Sequence, residues 1–302
     1  MFQDGNLRRF YPGLPRRQRT IARPVVVEGY GLWWGQDVRV EFRPAPPNQG
    51  IVFVRRDLPG FPRIPARIEY RVESPRRTCL QRGDVRVEMI EHVMAALAGL
   101  EIDNCEIWTT AAEMPGLDGS SAPLVAALQK AGIVEQNALQ PSLRIERAVR
   151  VTEGDQWLEV RPTTSERSVF VYHLDYGPSS PIQPQVFGFT FTSNAFTCQI
   201  SDARTFLLRS EAESLRQKGI GRRTSFRDLL VLDQHGPVDN CFRYPDECAR
   251  HKILDMIGDL ALAGIPIVGH FVAYRSGHRL NAKLTEMVLA EHRAFFAERK
   301  CA

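Results

Sequence analysis

The sequence predicts an α+β fold of two similar tandem domains, each a β-sheet packed with helices. Two segments of the chain resemble each other, one over residues 21–44 and the other over residues 145–162. Each segment is typical of a strand, a turn and a second strand, and each closes on an Arg-Pro dipeptide. A helical stretch and a further strand follow in both halves after a variable middle part. This shared order of elements favours a duplicated domain over a chance match.

The predicted elements follow one another in the same order in both halves. In the first half, a helical pattern covers Met89 to Leu100 and a strand pattern covers Asn104 to Thr109. In the second half, the helical pattern covers Asp246 to Ala263 and the strand pattern covers Pro266 to Tyr274. Each half therefore supplies one long helix that can pack on its own sheet.

The domain boundaries are predicted from breaks in these patterns. A helix over residues 122–131 is followed by Pro141, which indicates a boundary between the halves. We therefore expect a first domain over residues 18–138 and a second domain over residues 143–302. Residues 1–17, which are rich in arginine and proline, are predicted to form a flexible basic arm.

The composition excludes several classes of protein. The chain has 302 residues, of which 43% are hydrophobic and 25% are charged, as in globular proteins. No apolar run is long enough for a transmembrane helix, and the N-terminus lacks the apolar core of a secretory signal. The net charge is only +4 and no C-x-x-C pair occurs. We expect free thiols, no nucleic-acid partner and a cytoplasmic location.

Three polar residues share one face of the second predicted long helix. His251 and Asp255 are four residues apart, which places their side chains one turn apart, and Asp259 follows one turn later. A surface His–Asp pair has the same spacing, so this pattern alone leaves a structural role open. A polar stripe in an otherwise apolar helix nevertheless favours a metal site, since catalytic zinc sites use three protein ligands and one water position.

The other part of the site is predicted at the start of the first long helix, at Glu91 and His92. If the halves are equivalent, the two long helices can meet at a shared interface, and His92 becomes the third ligand. Glu91 is then a general base or a carboxylate that orients a ligand. His278 follows a strand in a Ser-Gly-His turn, where Asp259 can orient its imidazole. An ordinary core or loop role for both histidines remains open at this point.

At these residues the chain resembles the zinc-dependent UDP-3-O-acyl-N-acetylglucosamine deacetylases of lipid A biosynthesis. The resemblance covers about residues 18–292 and implies two similar α+β domains with a zinc site in the cleft between them. The segments that carry it are VEMIEHVMAALAGLEIDN at 87–104, DECARHKILDMIGDLALAGIPIVG at 246–269, MPGLDGSSAP at 114–123, ARTF at 203–206, SGHRLN at 276–281 and RPAPPNQGIVF at 43–53.

The resemblance also implies a role for each site residue and a reaction. The reaction is hydrolysis of the 2-acetamido group of the nucleotide sugar to acetate and a free amine. The implied assignments are His92, His251 and Asp255 as zinc ligands, Glu91 as general base, His278 as catalytic histidine with Asp259 as its partner, Thr205 beside the scissile carbonyl, and Lys252 and Phe206 as substrate contacts. The expected cofactor is Zn²⁺, although Fe²⁺ suits the same ligands. The expected partner is the nucleotide-sugar substrate with its acyl chain, bound by a monomer.

Two departures from the family pattern bear on the substrate. Trp33 and Trp34 stand where the family usually has a His-Thr pair, and Arg222 and Arg223 stand in the region of a usual Gly-Gly pair. These residues predict an altered acyl-chain passage. Two alternatives therefore stay open: a related zinc deacetylase that acts on a different N-acyl sugar, and a zinc-bearing binding protein without catalysis.

Overall fold

The computed structural model describes residues 16–300 and the side chains of residues 16–292, so most of the predicted basic arm lies outside the described residues. The strands are β1 (Arg16–Ile21), β2 (Val25–Tyr30), β3 (Asp37–Pro44), β4 (Ile51–Arg55), β5 (Arg63–Pro65), β6 (Arg71–Val72), β7 (Cys79–Arg82), β8 (Val85–Glu88), β9 (Cys105–Thr109), β10 (Ile133–Gln140), β11 (Leu143–Arg144), β12 (Val149–Glu153), β13 (Gln156–Arg161), β14 (Val169–Leu174), β15 (Gln185–Thr190), β16 (Phe206–Leu208), β17 (Leu230–Asp233), β18 (Gly236–Pro237), β19 (Ile267–Val268) and β20 (His270–Tyr274). The α-helices are α1 (Glu91–Gly99), α2 (Ala122–Ala131), α3 (Ser193–Gln199), α4 (Arg209–Gln217), α5 (Glu247–Leu260) and α6 (His278–Lys300).

Two five-stranded sheets have the same strand order. The first is β2-β3-β9-β4-β5 and the second is β12-β13-β20-β14-β15. In each sheet one parallel pair, β4–β9 or β14–β20, lies among antiparallel neighbours. Val38, Val40 and Phe42 of β3 are buried while the residues between them are partly exposed, as expected for a strand with one covered face. The predicted α+β fold of two similar halves is confirmed by this shared topology.

The structure differs from the sequence prediction at three places. Strand β1 includes Arg16 and Arg17, which the sequence assigned to the arm, because it pairs antiparallel with β10. Strand β10 extends to Gln140 and so enters the predicted boundary region. His278 is the first residue of α6 and does not lie in a loop.

A close crossing of α1 and α5 positions the functional side chains. A Cβ atom at Gly258 would lie only 2.1 Å from the carbonyl oxygen of Glu91, so a larger residue would push the helices apart. Nearly every residue of α1 and α5 is buried, which is typical of helices in the middle of a core. The crossing places the first turn of α1 against the C-terminal half of α5, where Gly258 lies.

Each half also carries a small insert beside its sheet. The first insert is the three-stranded sheet β6-β7-β8, and the second is the three-stranded sheet β16-β17-β18 with α4. Leu32 and Met89 of the first half pack with Leu229 and Val231 of the second in a separate apolar cluster. The inserts therefore meet on one side of the helix crossing.

Among the described helices, none combines the length and the apolar character needed to traverse a lipid bilayer.

Candidate active site

A cavity of about 630 Å³ lies between the two halves and receives side chains from both. All the predicted site residues except Asp259 line this cavity, and Asp259 lies behind His278. The cavity has an apolar wall, to which the β2–β3 turn contributes Leu32, the segment after β8 contributes Met89, and the second insert contributes Leu207, Ala212, Leu215, Ile220, Phe226, Leu229 and Val231. The cavity also has a polar part from the second half, which includes Glu153, Asp155, Gln156, Asp175, Arg275 and Arg279.

His92, His251 and Asp255 come together as a candidate metal site, with their ligand atoms within 4.8 Å of one another. Asp255 Oδ1 lies 3.4 Å from His251 Nε2 and 3.7 Å from His92 Nε2. Tetrahedral zinc bonds of about 2.1 Å place neighbouring ligand atoms about 3.4 Å apart. The donor set of two imidazoles and one carboxylate therefore fits a metal ion in both chemistry and spacing.

The environment keeps His251 and Asp255 in the forms that bind a metal. Burial lowers the pKa of His251 to about 4, so its imidazole is neutral at pH 7. Its Nδ1 lies 3.0 Å from the carbonyl oxygen of Ala203, which leaves Nε2 for the metal. Burial opposes the ionisation of Asp255, but the Lys252 ammonium, 2.7 Å away, helps hold the pKa of that carboxyl well below its usual range.

Glu91 stands next to His92 but points to a different partner. Its Oε2 accepts a hydrogen bond from the backbone N–H of Thr78 at 3.0 Å. Burial raises the pKa of Glu91 above its usual value, and the nearby His278 and His92 oppose that rise. A buried carboxylate with a raised pKa beside a metal site is suited to accept a proton near neutral pH.

His278 and Asp259 form an ion pair at the edge of the cavity. His278 Nδ1 lies 2.8 Å from Asp259 Oδ2. Burial alone favours the neutral imidazole, but the Asp259 carboxylate raises the pKa of His278 to about 9. His278 is therefore protonated at pH 7 and can donate a proton or stabilise negative charge.

Thr205 lies beside the candidate metal ligands. Its hydroxyl oxygen is 3.0 Å from His251 Nε2 and 3.3 Å from His92 Nε2. The backbone N–H of Thr205 donates to the carbonyl of Gly119 at 2.7 Å, which ties this segment to the first half. The ring of Phe206 lies edge-on to His251, with ring centroids 6.2 Å apart.

Sequence reasoning missed several residues that support this arrangement. Arg204 and Glu247 form an almost fully buried ion pair at 2.8 Å, which joins the segment before Thr205 to the start of α5. Thr78 contacts both Glu91 and Asp259. Arg204 is part of the ARTF segment, which was a usable signal, but Thr78 has no spacing relation to the other site residues.

The departures from the family pattern lie at the junction of the two inserts. Arg223 points away from the cavity: it pairs with Asp37 at 2.6 Å and lies 4.1 Å above the ring of Tyr30. Neither Arg222 nor Arg223 lines the cavity, so the expected charging of the acyl passage by these two side chains is not observed. The reason is that the edge of the first sheet offers Arg223 an acidic and an aromatic partner.

The two tryptophans have different positions. Trp33 lines the cavity, and the guanidinium of the buried Arg77 lies 4.1 Å above its ring. Trp34 is 60% exposed. Glu113 holds their loop, because its carboxylate accepts the backbone N–H of Trp33 at 2.7 Å and that of Trp34 at 3.0 Å. Of the four residues in these two departures, Trp33 is thus the one that shapes the cavity wall.

Comparisons with known proteins point to one family. The family model for UDP-3-O-acyl N-acetylglycosamine deacetylase matches residues 18–290. The chain is 42% identical over 275 residues to a UDP-3-O-acyl-N-acetylglucosamine deacetylase of Myxococcus xanthus. This alignment covers 91% of the chain and 87% of the relative. Two further proteins of the same name are similar to this chain: one from Idiomarina loihiensis, 41% identical over 281 residues, and one from Coxiella burnetii, 39% identical over 280 residues. Each alignment covers 92% of this chain and 92% of the relative.

Proposed function

The chain belongs to the UDP-3-O-acyl N-acetylglycosamine deacetylase family, and from this premise we propose how it acts on its substrate. It is an enzyme that hydrolyses the 2-acetamido group of UDP-3-O-acyl-N-acetylglucosamine, a step of lipid A biosynthesis. The observation that carries the proposal is the cluster of His92, His251 and Asp255 with Glu91 and His278 around one cavity. These groups supply a metal site, a base and an acid for amide hydrolysis.

We assign the catalytic metal to His92, His251 and Asp255 and propose that it is Zn²⁺. Two imidazoles and a carboxylate are typical protein ligands of catalytic zinc, which keeps a further position for water or substrate. When bound, the metal supplies Lewis acidity that lowers the pKa of a coordinated water from about 15.7 toward about 7. Fe²⁺ accepts the same ligands, and elemental analysis of protein purified without added metal distinguishes the two.

Glu91 acts as the general base in this proposal. Its carboxylate accepts the proton of the water that attacks the acetamide carbonyl. The backbone N–H of Thr78 holds Oε2 of Glu91, and the other carboxylate oxygen remains for the water. The hydroxyl of Thr205 donates a hydrogen bond to the oxyanion that develops on the carbonyl oxygen.

His278 acts as the general acid. It is protonated at pH 7 because Asp259 raises its pKa to about 9. It donates this proton from Nε2 to the amine nitrogen as the C–N bond breaks, and acetate and the free 2-amino sugar are released. Asp259, 2.8 Å from His278 Nδ1, orients the ring.

Substrate recognition is divided between the two parts of the cavity. The apolar wall between the inserts suits the 3-O-acyl chain, because burying apolar surface there contributes about 25 cal/mol per Å². The ring of Phe206 and the ammonium of Lys252 suit contact with the sugar near the metal. The polar part holds Arg275 and Arg279, which are suited to the negative charge of the diphosphate.

The test is acetate release from UDP-3-O-acyl-N-acetylglucosamine by the metal-loaded protein. His251→Ala should lose both bound metal and activity, whereas the matched control His173→Ala, on β14 outside the cavity, should keep both. Unchanged metal content in His251→Ala would contradict the assignment. Turnover of the substrate without its 3-O-acyl chain at an equal rate would instead favour a different N-acyl sugar.

A further inference from the structure

Thr78 lies where the first half of the chain meets the His278–Asp259 pair of the second half. The residue immediately precedes β7 and is buried, with 1% of its surface exposed. Its backbone is bonded to the start of α1, because its N–H donates to Glu91 Oε2 at 3.0 Å and its carbonyl accepts from Ile90 N–H at 3.3 Å. These bonds fix the position from which the Thr78 side chain reaches α5.

The Thr78 hydroxyl has one proton to donate, and the geometry directs it to Asp259. Thr78 Oγ1 lies 2.5 Å from Asp259 Oδ1, a distance typical of a strong hydrogen bond to a carboxylate. His278 Nδ1 and Asn281 Nδ2 are both 2.8 Å from the other oxygen, Oδ2. Thr78 and His278 therefore occupy opposite oxygens of one buried carboxylate.

A carboxylate that is held at only one oxygen retains freedom to rotate about its Cβ–Cγ bond. The Thr78 hydroxyl removes this freedom because it holds the second oxygen. We infer that the Thr78 hydroxyl is a positioning group, which locks Asp259 so that His278 keeps Nδ1 on the carboxylate and presents Nε2 to the substrate. The inference rests on the proposed role of His278 in deacetylation. Thr78 Oγ1 also lies 3.3 Å from His278 Nδ1, so the hydroxyl contacts both members of the pair.

The test compares variants at position 78 that differ in the hydroxyl group. Thr78→Ala and Thr78→Ser differ by that one group, and Thr78→Val keeps the shape of threonine without it. We expect kcat of Thr78→Ala and Thr78→Val to fall roughly 10–100-fold, the usual effect of losing a group that orients a catalytic side chain, with KM and bound metal unchanged. Thr78→Ser should retain kcat within about threefold, since it keeps the donor.

A buried threonine elsewhere controls for loss of stability. Thr109 on β9 is fully buried, and its hydroxyl donates to the carbonyl of Ala111 at 2.9 Å, outside the cavity. Thr109→Val should lower the melting temperature and leave kcat unchanged. If Thr78→Ala and Thr78→Ser lose kcat equally, the inference is wrong.

A double-mutant cycle with His278 identifies the path through which Thr78 acts. In the His278→Ala background, Thr78→Val should cause no further loss of kcat, because the group that it positions is gone. Multiplied losses in the double variant would show that Thr78 acts by another path and would overturn the inference. If the wild type is active and His278→Ala has the same kcat, the proposed function is wrong instead. The failure of the inference and the failure of the proposed function are therefore distinguishable.

Discussion

The two halves of the molecule share a sheet topology but contribute different chemistry through their long helices. Helix α1 presents Glu91 and His92 from its first turn, whereas α5 presents His251, Asp255 and Asp259 from successive turns. Equivalent helices therefore do not carry equivalent site residues. Duplication accounts for the two helices that cross, and divergence of their side chains accounts for one asymmetric site, with the proposed base on one side and the proposed acid on the other.

The inserts extend this contrast from catalysis to recognition. The first insert is a small sheet that ends at the start of α1, and the second adds α4, which has no buried residue of its own. The second insert forms most of the apolar wall of the cavity, together with Leu32 and Met89 of the first half. The wall that we propose for the acyl chain is therefore as asymmetric between the halves as the set of polar site residues.

The largest expected effect comes from the part of the site on the first half. Glu91→Gln should retain bound metal and lose kcat by about 10²–10⁴-fold, the usual contribution of a general base. The acidic limb of the pH profile should also disappear, because that limb reflects protonation of Glu91, whose pKa is raised by burial. Metal analysis and kcat measured across pH check this, and a variant that loses its metal would instead identify Glu91 as a ligand.

The corresponding change on the second half tests the acid. In the wild type, activity should fall as pH rises above about 9, where His278 loses its proton. Asp259→Asn removes the negative charge that raises this pKa, so the alkaline limb should move to lower pH, and kcat at pH 7 should fall roughly 10–100-fold. If the alkaline limb stays at the same pH in Asp259→Asn, that limb does not reflect the loss of the His278 proton.

The helix crossing is tested by two glycine substitutions that affect different neighbours. Gly258→Ala should cost about 1–3 kcal/mol of stability and weaken metal binding, because its Cβ would clash with the Glu91 backbone. At Gly99, at the far end of α1, the three atoms nearest to an added Cβ all belong to the ring of Phe196. Gly99→Ala should therefore lower the stability of the folded protein without changing its affinity for the metal. Chemical denaturation and metal titration of both variants compare the two, and equal losses of metal affinity would contradict a specific role for the crossing.

The smallest expected effect concerns the contact between the sheet edge of the first half and the second insert. Arg223→Ala removes an exposed ion pair with Asp37, so it should cost at most about 1 kcal/mol. The kcat/KM for the acylated substrate should change by less than about threefold, since Arg223 points away from the cavity. A marked preference for shorter acyl chains in the wild type that Arg223→Ala abolishes would show that this arginine governs the passage after all.

Much of this arrangement follows from local sequence patterns. The spacing of His251, Asp255 and Asp259 fixes their common helix face, and the similar hairpins predict the duplicated topology. Other features depend on contacts between distant parts of the chain. Arg223 was expected at the acyl passage, but its partner Asp37 lies 186 residues away. Thr78 was not predicted because its hydroxyl meets Asp259 only after the halves have packed.

The central claim is that the two crossing helices hold one metal with three ligands while Glu91 stays unbound. Anomalous diffraction at the zinc absorption edge from crystals of the metal-loaded protein tests it most directly. A single peak is expected about 2.0–2.2 Å from His92 Nε2, His251 Nε2 and one Asp255 oxygen. A peak bonded to Glu91, or no peak between α1 and α5, would contradict the account.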